Sequence, residues 1–206
     1  MKKVAEPADK ILFTSDPHFG HEGIIPFMER PFASAAQMDE TLIERWNEVV
    51  PHDGLVFLLG DIGFATSKRI VEIFKSLNGR KILIKGNHDS NYSDKVLCSI
   101  FEEIYDLLYI RIYDAYSSKY RYIVLSHYPM LDWQSSFRGS WQLFGHLHTR
   151  SIIEFDYLKS RLFSRQYDVG VDNNNFRPVS FYEVSDIISR QFTDNRFKQS
   201  NYNPVF

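Results

Sequence analysis

Over about its first ninety residues the chain alternates two kinds of hydrophobic pattern. Ile11-Leu12-Phe13 and Leu55 to Leu59 are short, continuous apolar runs, and Lys81 to Lys85 encloses a third. Runs of that length read as strands buried on both faces. Between them, apolar residues recur at helical spacing. Met38, Leu42, Ile43, Trp46, Val49 and Val50 predict a helix opened by Ser34, with Gln37 at the capping-box position, and stopped by Pro51-His52-Asp53-Gly54. A second helix is predicted from about Thr66 to Leu77, ending at Asn78-Gly79. Strand and helix in alternation imply a parallel sheet with crossover helices.

The later chain changes character. Ile104 to Tyr113, Tyr120 to Ser126, Trp141 to Phe144, Ser151 to Phe155, Tyr167 to Val171 and Val179 to Val184 all read as strands, and helical periodicity is scarce. A second, largely antiparallel sheet packed on the first is expected. The fold class is therefore α/β, two sheets flanked by helices. The length of 206 residues suits one domain, spanning 1–192, followed by a polar tail over 193–206 that is expected to be poorly ordered.

Composition narrows the function classes. A formal charge of -2 gives no general electrostatic case for nucleic acid or a membrane surface, so a bound phosphate would need cations to attract it. The single cysteine, Cys98, excludes an intrachain disulfide and a cysteine-based zinc site, and its apolar neighbours predict burial. No apolar run reaches the ~18 residues of a membrane span, and the start lacks a signal-peptide pattern. A cytoplasmic location is expected. Aromatic strands of this kind could support a homodimer.

Five short polar clusters follow the apolar runs: Asp16-Pro17-His18, Gly60-Asp61, Gly86-Asn87-His88-Asp89, Ser126-His127 and Gly145-His146-Leu147-His148. Any one has a bland account, as a turn cap or a hydrogen-bonded core histidine. Together they supply three carboxylates, five histidines and an asparagine. Two divalent cations ~3.5–4 Å apart need a bridging carboxylate to offset their repulsion, with neutral ligands elsewhere so that phosphate is still attracted. In an extended or turning segment residues i and i+2 point the same way, so Asp-x-His and His-x-His can each face one site. Glycines at 60, 86 and 145 allow close backbone approach.

These motifs resemble the calcineurin-like metallophosphoesterase superfamily, from Asp16 to His148. The stretch Ser15 to His21, with Arg30-Pro31-Phe32, Val169 to Asp172 and Pro178-Val179-Ser180, is similar to a group of small bacterial and phage phosphoesterases. The resemblance implies a four-layer sandwich of two mixed sheets flanked by helices. It further implies that Asp16, His18 and His148 hold one metal, that Asn87, His127 and His146 hold a second, and that Asp61 bridges them. His88 would touch the phosphate and help protonate the leaving oxygen, with Asp89 behind, orienting His88 or a metal ligand. The implied reaction is hydrolysis of a small phosphodiester or monoester, nucleotides included, by in-line attack of a hydroxide held between the metals. Imidazole and oxygen donors without thiolate favour manganese, with iron or zinc as alternatives.

Substrate contacts are assigned to His21, Arg138 and Asp172, against loop packing or turn formation. Arg150 is a further rim cation that could contact phosphate, while Lys159, Arg161 and Arg165 are better read as a solvated hairpin face. Trp133, Phe137 and Trp141 could stack on a base, though core packing is the default. Two competing readings are a metal-dependent nuclease, which the charge disfavours, and a non-catalytic scaffold, which the intact ligand set disfavours.

Overall fold

The computed structural model describes residues 1–149 and 160–194. The expected strand Ser151 to Phe155, the cations Arg150 and Lys159, and most of the polar tail lie outside them. Two five-stranded sheets form the fold. In one, β2 (Ile11–Thr14), β3 (Leu55–Leu58), β4 (Arg80–Ile84) and β5 (Glu103–Tyr105) run parallel, with β10 (Val179–Ser180) antiparallel at the edge. The other has the order β1 (Lys2–Lys3), β6 (Leu107–Asp114), β7 (Lys119–Ser126), β8 (Trp141–Phe144), β9 (Gln166–Asp168).

Side-chain alternation builds the layers. Ile11, Phe13, Leu55, Phe57, Ile82 and Ile84 face the second sheet's Ile110, Ile112, Ile123, Leu125 and Leu143. The residues between them, Leu12, Val56, Leu58 and Leu83, pack beneath α2 (Ala35–Val49) and α3 (Ser67–Ser76) through Met38, Leu42, Trp46, Ile70 and Phe74. A strand sandwiched this way must be apolar at every position, which is why these strands read as unbroken runs. Ser34 and Thr66 cap the two helices by accepting from the N–H of Gln37 and Arg69.

Four expectations need correction. The second sheet is mixed rather than largely antiparallel: among the described residues only β6 and β7 pair antiparallel, while β1, β8 and β9 join in parallel. Residues 104–113 are two strands in different sheets, parted at Asp106. After β10 the chain turns helical, as α5 (Phe181–Gln191), because Ser180 and Glu183 form a reciprocal capping box. Cys98 is exposed, at the end of the short helix α4 (Asp94–Leu97), with Leu97 taking the buried position beside it.

The topology gives the site its location. Parallel β2, β3 and β4 all finish at one end of their sheet, and β7 and β8 finish together in the other. Loops from five strand ends therefore meet across the top of the sandwich.

Candidate metal centre

The backbone of the five loops is interlocked. Asp16, His18 and Phe19 donate their N–H groups to the carbonyls of Gly60, Asp61 and Ile62 at 3.0, 3.2 and 3.1 Å, so the first two loops run side by side. Gly145 donates to His127 O at 2.9 Å, joining the last two. At Gly145 a β-carbon would run into Ser15 Oγ and Asp16 Oδ2, and at Gly86 into Asp61 Oδ1, so both positions require glycine. Asp16, His18, Asp61, His146 and His148 all have positive φ, between 47° and 67°. The i and i+2 pairs face one point for that reason, and not because the segments are extended. Across His146 the N–H of Leu147 closes on Gly145 O at 2.7 Å, a strained three-residue turn.

These backbone paths bring the side chains together. Asp16 Oδ1 lies 3.9 Å from His18 Nε2 and 3.8 Å from His148 Nε2. Asp61 Oδ2 lies 3.7 Å from His18 Nε2, 3.5 Å from His127 Nε2 and 3.9 Å from His88 Nε2. These gaps are too long for hydrogen bonds. They suit two donors flanking one ion, with bonds of about 2.0–2.2 Å. Two overlapping donor groups result, Asp16-His18-His148 and Asp16-Asp61-His127. Asn87 Oδ1 sits 3.1 Å from His127 Nε2, and the His146 ring stands edge-on to His127 at 5.1 Å.

A ring of supporting contacts fixes which atoms face inward. His127 Nδ1 is 2.7 Å from Leu59 O, so that nitrogen carries the proton and Nε2 presents a lone pair. Asn87 Oδ1 presents another to the same point, an arrangement that a cation between them stabilises. His148 Nδ1 is likewise 2.7 Å from Asp172 Oδ2. Asp172 in turn receives both arms of Arg30, at 2.8 and 2.7 Å, while the same guanidinium donates to the carbonyls of Asp16 and Pro17 at 2.9 and 3.0 Å. Asp89 is buried and accepts from the N–H groups of Asp61, Ile62 and Gly86. It clamps the second loop to the third rather than touching the His88 ring.

The electrostatics and the unmet polar atoms fit divalent ions. Burial pushes the Asp16 carboxyl up to about 6, against the pull of His148 and His127. Burial also drives His18 well below the usual histidine range and lowers His146, so both are neutral donors at neutral pH. Burial opposes ionisation of His148 too, but its bond to Asp172 and the nearby Asp16 charge win and raise it. Asp16 Oδ1 and His18 Nε2 are buried with no hydrogen-bond partner among the described residues. A buried polar atom left unpaired costs about 1–3 kcal/mol, and an ion between these two satisfies both.

The remaining candidates scatter. His21 stacks on Phe64 with ring centroids 4.0 Å apart and lies 5.5 Å from the His18 ring, at the edge of the cluster. Arg138 lies on an exposed turn with its guanidinium over Phe137, and none of its described contacts reaches the cluster. Asp172 touches His148 directly, while Asn173 and Asn174 close the turn onto Asp168 and Gly170, and Asn174 also accepts from the Tyr167 hydroxyl. Trp133 and Trp141 are buried and Phe137 is exposed. His52 is exposed.

Sequence reasoning assigns no role to Phe64, Tyr128 or Arg30. The first two flank the cluster, Phe64 4.8 Å from the His88 ring and Tyr128 4.6 Å from the His146 ring. An aromatic directly after His127 is the one local signal that marks Tyr128.

Comparison with known proteins places the chain in a family. An uncharacterized protein of Methanocaldococcus jannaschii is 30% identical over 183 residues, covering 88% of this chain and 92% of its own length. The gene 66 protein of mycobacterium phage L5 is 29% identical, covering 86% and 93%. A crystal structure of a protein of unknown function from Aquifex aeolicus superposes with a TM-score of 0.63 at 26% identity, covering 86% of this chain and 98% of that one. The calcineurin-like phosphoesterase family matches across residues 9–165, which contain all five loops, and the chain belongs to that family.

Proposed function

We propose that the chain is a dinuclear metal-dependent phosphoesterase that hydrolyses a small phosphodiester or phosphomonoester in the cytoplasm. The observation that carries this reading is Asp61, whose Oδ2 lies 3.5 to 3.9 Å from three imidazole nitrogens. Next to it Asp16 stands equally close to His18 and His148. A carboxylate shared by adjacent donor sets is what a pair of divalent ions requires. Asp16, His18 and His148 would hold one, Asn87, His127 and His146 the other, with Asp61 between. When bound, the ions supply charge that grips the phosphate and acidity that makes a water nucleophilic near neutral pH. Manganese is the ion to try first, and iron and zinc suit the same donors.

The chain's own groups do the rest. His88 is 41% exposed, and its backbone N–H is pinned to Asp61 Oδ1 at 2.9 Å. Its ring can reach a leaving oxygen and give it a proton. Arg30 and Asp172 hold the His148 ring, and Asp89 holds the backbone that carries Asp61.

Hydrolysis of bis(4-nitrophenyl) phosphate with added manganese, beside a chelator-treated sample, tests the reading. Turnover that chelator removes, and that Asp61→Ala abolishes while the variant stays folded, is expected. Full activity of Asp61→Ala would end the proposal.

A further inference from the structure

A groove of about 630 Å³ opens from one side of the centre. Asn87 and His127 form its inner end, and Tyr128, Met130, Leu107 and Lys85 line it outward. His88, His18 and Phe64 do not line it. They pack together on the other side, with the His88 ring 4.8 Å from Phe64 and 5.8 Å from His18. A phosphate seated between these flanks would turn its leaving oxygen toward His88 and its other substituent into the groove.

The wall nearest the phosphate is the Tyr128 ring. Its hydroxyl donates to Asn87 Oδ1 at 3.3 Å, and its ring stands steeply inclined to those of His127 and His146, centroids 5.0 and 4.6 Å apart. The ring is thus held at the mouth of the groove while remaining 48% exposed, a flat face free to stack. Leu107, cross-strand from Ser126 and 49% exposed, adds apolar surface. The charges lining the groove are mostly negative. The Lys85 ammonium is 3.6 Å from the Asp94 carboxylate, and Asp106 is a further acid on the lining. A second phosphate group would find Lys85 already paired and two acids beside it.

We infer that this groove seats the retained substituent of the substrate, and that the substrate is an ester of one phosphorus whose retained substituent is an uncharged, ring-bearing group of the nucleoside kind, stacked on Tyr128. The inference rests on the phosphoesterase reading. Tyr128 acts in it as a positioning residue, orienting the Asn87 amide through its hydroxyl and the substrate through its ring.

The test compares thymidine 5′-(4-nitrophenyl) phosphate with methyl 4-nitrophenyl phosphate, which share a leaving group and differ only in the retained substituent. The wild-type protein with manganese is expected to prefer the thymidine ester by at least about tenfold in kcat/KM, carried by KM, as base stacking on an aromatic ring allows. Tyr128→Phe keeps the preference. Tyr128→Ala and Leu107→Asp lose most of it. Calorimetric binding of thymidine 5′-monophosphate against methyl phosphate reads the same discrimination without turnover. A wild-type preference near one, or one that survives Tyr128→Ala, overturns the inference while leaving the phosphoesterase reading intact. Hydrolysis of 4-nitrophenyl phosphate but of neither diester overturns the inference alone, and failure on all three esters with manganese bound overturns the phosphoesterase reading and the inference with it.

Discussion

Replacing Asp172 by asparagine removes one charge from beneath the His148 ring without changing its shape. Asp172 Oδ1 accepts from Arg30 Nε at 2.8 Å, and Oδ2 accepts from both Arg30 Nη2 and His148 Nδ1, each at 2.7 Å. An amide nitrogen at either position meets an N–H. The less damaging rotamer sets it against Arg30 Nε, which loses one charge-assisted bond and leaves a buried guanidinium beside a neutral group. Breaking a buried ion pair costs about 3–5 kcal/mol. Arg30 keeps the carbonyls of Asp16 and Pro17, so the lower end applies, about 3 kcal/mol. For a chain of this length that lowers Tm by roughly 6–12 °C. His148 also loses the carboxylate that fixes its tautomer and raises its basicity, which weakens metal binding by about 10–100-fold. Thermal unfolding without metal and calorimetric titration with manganese measure the two effects separately. Asp186→Asn, on the exposed pair with Arg190, is the control and should move neither. If Asp172→Asn melts within a degree of wild type and binds manganese within twofold, Asp172 is merely a turn residue and the support argument fails.

Gly145→Ala forces a methyl group into Ser15 Oγ and Asp16 Oδ2, so it should abolish turnover and manganese binding while costing about 1–3 kcal/mol of stability. Unchanged manganese affinity would show that the loops can give way. Manganese must displace protons from His148, raised above the ordinary histidine range, and from Asp16, raised to about 6, so affinity should fall as pH drops through both, by about tenfold per unit for each proton displaced. Calorimetry across pH 5 to 8 would contradict this if affinity stayed level. In the metal-free chain the folded state keeps the Asp16 proton through a pH range where the unfolded state, near the ordinary 3.8, has released it. Burying Asp16 therefore lowers stability as pH rises toward 6, and a metal-free Tm with no such component would count against the raised carboxyl. Ser180→Ala should cost about 1 kcal/mol at the start of α5 with no change in turnover.

The sheet strands and the five clusters were legible because each depends on local sequence. A run such as Leu55 to Leu59 must be apolar throughout to be sandwiched, and a cluster such as Gly145 to His148 must carry its donors within a few residues. What escaped depends on long-range contact or on competing local signals. Arg30 meets Asp172 across 142 positions, and nothing near either residue announces the other. Val179-Ser180-Phe181 alternates like a strand, and only the Ser180–Glu183 pair, read as a cap, reveals the helix. The split at Asp106 rests on one polar residue in a long apolar pattern, too slight a break to show that the chain changes sheets.

The backbone supplies an argument for the site that is independent of residue type. Ten non-glycine residues have positive φ among those described, and five are Asp16, His18, Asp61, His146 and His148. For an L-residue that region costs about 1–2 kcal/mol. Tight turns alone do not account for the concentration, since Gly145, directly before His146, keeps an ordinary φ while the histidine takes the left-handed one. What a strained Asp or His provides, and a strained glycine cannot, is a side chain turned back over the strand end toward the common point. Asp16 and His18 bend around Pro17 to reach it, and His146 and His148 bend around Leu147. The hydrogen bonds from Asp89, Arg30 and the adjoining loops hold those bends in place. Half of the strained non-glycine positions among the described residues thus belong to the groups that converge, as expected where geometry is maintained for binding rather than for stability.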